Sequence, residues 1–446
     1  MGSLFFFAIC VACFTIQCTT VDGTTAAVNK IESFISQYIS KHGREAVFGD
    51  GNICSRRFVL GNYACPYMVG RNTHEFLNAV VAAMVIDRTL VWQYCPRKPC
   101  SVDDEETCAR YMTRSTWIPS IEEVEAKFRV ANCSSQINRN HQLIVYAMRH
   151  WQERKLACCG IDQLNATLVN FGVFFDRREM SVLSLPFAQL GNDSKQRASI
   201  LFSLGEDAAY GYVLRSVFQF TDAIKSQNSA PLSAAPNNTL YIGLHLRHSS
   251  NSEEGAKELA GEKQCLDQTI KFAMLGDGQN RTTRPCVVLV ASDRFISLDR
   301  VRQTAMQLGC MAVVTNHTAI KKSYGEHGPY WGEIAMLDME LLSHAEYFIG
   351  SSYIQYSHLV NENCISSYSM LVAALVASKF GYQHSPEERV RWLPFCGKAS
   401  IGRHYTAQGL PHTESSALTE CARGLLIPNE CTGVSNVTRT EFGFTP

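Results

Sequence analysis

Near the middle of the chain, His245 and Arg247 close the stretch TLYIGLHLRHSSN, Thr239 to Asn251. Side chains two apart on a strand point the same way, so the imidazole and the guanidinium share a face, with Gly243 expected to leave that face open behind them. An arginine presents five donors in a fixed fork and a permanent charge, which suits phosphate oxygens. The residues Leu240 to Leu246 are mostly apolar, the pattern of a strand buried on both faces in a parallel sheet. Ligands of open α/β sheets sit beyond the carboxyl ends of the strands, where this pair falls. An ordinary strand end with a solvent-facing arginine is the alternative for this stretch taken alone.

The elements that must position such a pair follow downstream. Strands are expected at Cys286–Ala291, Cys310–Thr315 and Tyr347–Gly350, ending in Ser292-Asp293, Asn316 and Ser351-Ser352. Helical patterns cover Lys263–Leu275, Leu298–Leu308, Trp331–Glu346 and Ser367–Lys379. Strands alternating with helices mean βαβ units and a parallel sheet, which gathers the four polar strand ends along one rim. Asp338 falls inside the apolar stripe Ile334, Leu337, Leu341, Leu342 and Ala345 of the 331–346 helix. A carboxylate there must find donors or be neutralised, because burying it unpaired is costly. It is either an acceptor for a ligand's base or ribose or an internal structural partner.

A second anion site is expected in the block Cys65 to Trp92, CPYMVGRNTHEFLNAVVAAMVIDRTLVW. Gly70-Arg71-Asn72 reads as a tight turn and Thr73 as the cap of a helix to about Asp87, ahead of a strand at Thr89–Trp92. A turn opening a helix leaves free backbone donors for an anion. A core α/β unit with a glycine turn is the alternative. Neither GxGxxG nor GxxxxGK[ST] occurs, so no dinucleotide fingerprint or P-loop is present.

At 446 residues the chain has room for two or three domains with real cores. Lys+Arg and Asp+Glu both total 41, so there is no basic excess to attract nucleic acid or an acidic membrane. The near-continuous apolar run Leu4 to Ile16 precedes any charge and has the length of a signal-peptide core; an uncleaved signal anchor is the alternative. Seven Asn-x-Ser/Thr sequons, at Asn132, Asn165, Asn192, Asn237, Asn280, Asn316 and Asn436, support the secretory route. Of 18 cysteines, fifteen lie beyond the leader, implying several disulfides and at least one unpaired thiol in an oxidising lumen. Cys95 and Cys100 could pair locally. No two C-x-x-C pairs occur, which argues against zinc, and the acidic run Asp103–Glu106 reads as a solvated loop.

Helices are expected at Val28–Ile39 with a stop at Gly43, at Ile121–Ala131, at Asn140–Lys155 and, as one long element, at Ala198–Ile224. Gln227–Asn238, rich in Pro, Ser, Ala and Asn, reads as a linker. The organisation is then a leader (1–24), an N-terminal α/β domain (25–226), the linker (227–238), a C-terminal nucleotide-binding domain (239–395) and a disulfide-tied tail (396–446).

HLRHSS at 245–250, LVASD at 289–293 and YWGEIAMLDMELLSHAEYFIGSS at 330–352 resemble the conserved blocks of the GDP-fucose-dependent fucosyltransferases. The alpha-1,6-fucosyltransferases, their bacterial nodulation relatives and the protein O-fucosyltransferases are the nearest, and GRNTHEFLNAVVAAMVIDRTLVW is similar to their glycine-turn-and-helix block. The resemblance covers about 120 residues of the second unit and 30 of the first. It implies a GT-B-like α/β enzyme, two Rossmann-type domains facing across a cleft, with GDP-fucose as donor substrate and no required metal or other cofactor. Arg247 then matches the arginine holding the β-phosphate, His245 its neighbour in the nucleotide site, and Asp338 the aspartate contacting the nucleotide. Asp293, Gly70 and Asn72 join the nucleotide-sugar site, with Ser351 or Ser352 on the phosphate side, although Tyr353-Ile354-Gln355 departs from the pattern there. His248 and Ser250 stand where the alpha-1,6 enzymes carry an arginine and an aspartate. Glu253 and Glu254, the candidates for general base, fall one or two places short of the family glutamate.

The expected function is fucosyl transfer to a glycan or glycoprotein in the Golgi or ER lumen, or after secretion, with a membrane contact only through an uncleaved leader. The departures around the acceptor leave open a binding protein for glycan or nucleotide on the same fold.

Overall fold

The structure is a computed structural model describing residues 25–49, 52–63, 69–94, 112–133, 167–170, 191–246, 270, 274, 284–292, 295–315, 330–350, 352–354, 363–365, 367–380 and 392–394. The leader, the 140–155 pattern, the Cys95/Cys100 pair and the tail lie outside them.

Apolar residues at helical spacing fold as α1 (25–42), ended as expected at Gly43, whose N–H bonds the Ile39 carbonyl. α2 (Arg44–Gly49) follows. β1 (Phe58–Tyr63), α3 (Val69–Val85) and β2 (Thr89–Tyr94) form a βαβ unit with β1 and β2 parallel. After β3 (Met112–Arg114) comes α4 (Ile121–Val130), started by a capping box between Ser120 and Glu123. β4 (Leu168–Asn170) adds parallel to β1, giving the order β2-β1-β4.

The helix expected over Ala198–Ile224 is three helices and a strand. α5 (Asn192–Leu201) stops before Gly205, whose φ of 91° no L side chain adopts comfortably. α6 (Glu206–Val217) then gives way to β5 (Phe218–Phe220), which pairs antiparallel with β3. α7 (Asp222–Ser233) includes the first seven residues read as linker, Pro231 among them. Buried Asn228 explains why: its amide donates to the Leu337 carbonyl and to Glu340, so tertiary bonds override a weak helical propensity.

The second half keeps the expected rhythm. β6 (Leu240–Leu246), β7 (Cys286–Ser292), α8 (Phe295–Gln307), β8 (Met311–Val314), α9 (Tyr330–Leu342) and β9 (Tyr347–Gly350) follow in turn. Ile270 and Met274 are helical, within the pattern read at 263–275. A hairpin of β10 (Ser352–Ile354) and β11 (Asn363–Ile365) precedes α10 (Ser367–Phe380) and β12 (Trp392–Pro394). The sheet order is β12-β9-β6-β7-β8, every pair parallel.

Alternation on the strands divides the core. Leu240, Ile242, Leu244, Val288 and Val290 pack on one face in a cluster with Leu298 and Val301 of α8. Val287, Leu289 and Phe348 pack on the other, in a cluster that continues through α9 and α10 to α3, α6 and α1. Helix α10 is the joint, with Gly211 of α6 lying against the Ala374 backbone. The face behind His245 is filled rather than open: a Cβ on Gly243 would come within 2.9 Å of the Ala345 methyl. Two disulfides, Cys54–Cys133 and Cys286–Cys310, occur among the described residues. No helix among these residues is long and apolar enough to cross a membrane.

Candidate functional site

His245 is the sixth residue of β6, on the face covered by α9 and α10, and is 8% exposed. Its Nδ1 lies 2.7 Å from the Ser369 hydroxyl, and its ring centre 4.7 Å from that of Tyr368. Both partners belong to the first turn of α10. The Tyr368 hydroxyl donates to the Ala335 carbonyl of α9 at 2.7 Å. Burial pushes this phenol well above its ordinary range and the negative charge of Asp338 adds to the effect, so it remains a protonated donor.

Asp338 stands one turn after Ala335 and is buried. Thr315, directly after β8, donates its hydroxyl to the Asp338 carboxylate. The aspartate in the apolar stripe therefore does find a donor within the protein, and that bond ties the carboxyl end of β8 to α9.

The first half of the chain reaches the same place through Gly70. The expected turn at Gly70-Arg71-Asn72 is instead the first turn of α3, which starts at Val69. Thr73 is not a cap but a fully buried residue within the helix. A glycine this early costs little, since first-turn N–H groups have no intrahelical acceptor anyway. A Cβ on Gly70 would lie 2.8 Å from the Tyr368 nitrogen and 2.9 Å from its Cα, so only a bare backbone allows the approach. Half-buried Asn72 is two residues further on.

The amino ends of a 17-residue and a 14-residue helix thus meet beside a buried histidine at the carboxyl end of a parallel strand. The amino end of a helix carries a partial positive charge from its aligned peptide dipoles. Two such ends side by side, with the Tyr368 backbone packed against Gly70, are a setting that favours an anion.

Of the residues expected at the site, the structure brings together His245, Asp338 and Gly70, with Asn72 on the same helical turn as Gly70. Arg247, Glu253, Glu254, Asp293 and Ser351 lie outside the described residues, as does the side chain of Ser352, whose backbone opens β10. Ser369, Tyr368 and Thr315 are new. The serine-rich start of the 367–379 helix, Ser366-Ser367-Tyr368-Ser369, was the available signal, since such residues favour helix amino ends. Among the described residues no group of three His, Cys, Asp or Glu side chains is arranged to hold a metal.

A family model for a family of unknown function (DUF7810) matches residues 9–324. The chain belongs to that family. No curated protein sequence matches it. Among solved structures, a mutant of Arabidopsis thaliana FUT1 in complex with GDP is 12% identical, covering 78% of this chain and 77% of that one, with a TM-score of 0.50. The fucosyltransferase NodZ from Bradyrhizobium is 16% identical over 72% of this chain and 93% of that one, TM-score 0.40. POFUT1 in complex with GDP-fucose is 15% identical over 77% and 98%, TM-score 0.37. The likeness to FUT1 is one of fold, an α/β architecture on parallel sheets.

Proposed function

We propose that this member of the DUF7810 family is a glycosyltransferase of the secretory pathway, working in the Golgi or ER lumen, with a GDP-sugar as donor and a glycan or glycoprotein hydroxyl as acceptor. GDP-fucose is the donor favoured by the motifs around His245 and Asp338. One observation carries the reading: the amino ends of α3 and α10 abut beside His245. A fold shared with a GDP-bound protein supports it.

In this reading the diphosphate lies against the two helix ends, and the two halves of the chain form the walls of the donor site. The acceptor oxygen attacks the anomeric carbon, and the bond from that carbon to the β-phosphate oxygen breaks. GDP leaves with the electron pair. Arg247 and the helix ends stabilise the charge growing on it, and removing one such preorganised donor typically slows turnover by about 100- to 1,000-fold. Glu253 or Glu254 accepts the hydroxyl proton as general base. The reaction needs no metal, because protein donors meet the diphosphate charge.

Incubation of the full chain with a panel of sugar nucleotides, with and without chelator, tests this. Consumption of GDP-fucose that survives chelator and falls about 100-fold or more in Arg247→Ala supports the reading. GDP binding without consumption of any donor identifies a binding protein instead. Binding of neither excludes both.

A further inference from the structure

A cavity of about 220 Å³ is walled by α6, β5, α9 and α10, on residues that take no part in the candidate site. Its apolar lining is Leu214, Phe218, Phe220, Met336, Met339 and Leu375. An apolar space of roughly 150 Å³ already holds a benzene ring, so this one has room for a short hydrocarbon chain. Unbranched methionine side chains adapt readily to such a guest.

The charged groups around the cavity are of one sign. Among the described residues that line it two are cations, Arg215 of α6 and Lys225 of α7, and none is acidic. Lys225 is exposed and faces Asp222 at 3.7 Å. Arg215 has less to bond. One of its terminal nitrogens donates to the Leu375 carbonyl at 3.1 Å, and no carboxylate of the described residues lies within ion-pair distance of it. Burial lowers its pKa, and Glu32 of α1 acts on it only from further away. Lys379, one turn past Leu375 in α10, has its pKa lowered first by burial and then by the charge of Arg215. Two partly desolvated cations thus share one rim, and an anion between them would relieve their repulsion.

We propose that this cavity binds an anionic amphiphile with a single apolar chain, the chain lying between the phenylalanine and methionine walls and the acid head on Arg215. The guanidinium spends one of its five N–H groups on Leu375, and the rest of its fork matches the oxygens of a carboxylate or phosphate. No residue of the donor setting enters, so the site exists whether or not the chain handles a nucleotide.

Calorimetry on the full chain with octanoate, octyl phosphate and octanol tests this. At least one of the two anions is expected to bind about tenfold more tightly than octanol, which has the chain without the charge, and the tighter anion names the head group. Arg215→Gln, at a partly exposed position, is expected to remove that advantage and to leave octanol binding unchanged. Ser343→Trp places an indole in the cavity from a half-buried lining position and is expected to abolish binding of all three. Failure of both anions to bind overturns the proposal, as does octanol binding as tightly as they do. So does an anion affinity that survives Arg215→Gln or Ser343→Trp undiminished. If Ser343→Trp does not fold, Arg215→Gln still decides. GDP binding, measured separately, bears on the proposed function alone.

Discussion

The two edges of the five-stranded sheet are both polar, and they use that polarity in opposite ways. At the amino edge Arg284 donates to both Glu346 oxygens, at 3.1 and 2.6 Å, and to the carbonyls of Asn238 and Thr239, each at 3.0 Å. The disulfide Cys286–Cys310 closes the same edge between β7 and β8. Charge and covalent bonds there are consumed in tying strand starts together. At the carboxyl edge the groups are mostly neutral donors and helix ends, and their bonds among themselves fix directions while leaving the α3 and α10 amino ends positive. The contrast teaches where to look for function: a site is marked by orientation with electrostatic capacity to spare, not by the number of charged residues.

Variants at the two edges should therefore separate stability from binding. Replacing both Cys286 and Cys310 by Ala is expected to cost about 2–4 kcal/mol in denaturant unfolding while leaving GDP affinity of the folded protein unchanged. A loss of affinity there would break the contrast.

Acidification acts on the rim side. His74, one turn beyond Gly70 in α3 and stacked on Tyr210, has its pKa lowered by burial to about 4. The unfolded chain takes up that proton near pH 6.5, so folding stability from this group is complete above 6.5 and declines as pH falls toward 4, by up to about 3 kcal/mol. His74→Gln should flatten that part of the pH–stability curve; an unchanged slope would contradict a buried neutral imidazole.

Arg284→Ala is the smallest of the three, about 1.5–3 kcal/mol of stability for lost bonds between partly exposed charged groups, again with GDP affinity unchanged. A variant that weakened GDP binding without lowering stability would reverse the roles assigned to the two edges.

Much of this was legible in the residues. Unbroken apolar runs in β6 and β7, each ended by polar residues, can hardly fold as anything but buried parallel strands. Asp338 stood out because a carboxylate interrupts an apolar stripe. What escaped was decided by contacts distant in sequence. Phe218–Phe220 continues a helical pattern until it pairs with β3, and 227–233 has linker composition until Asn228 reaches Glu340. Gly70 has the look of a turn, yet its role is to let Tyr368 approach. Ser369 is one serine among several until the fold sets it against His245.

The central claim, that the meeting of α3 and α10 beside His245 receives a nucleoside diphosphate, is tested most directly by a structure of the full chain grown with GDP. The account predicts the diphosphate against the first turns of both helices, beside His245. GDP bound elsewhere, or no GDP at saturating concentration, would contradict it.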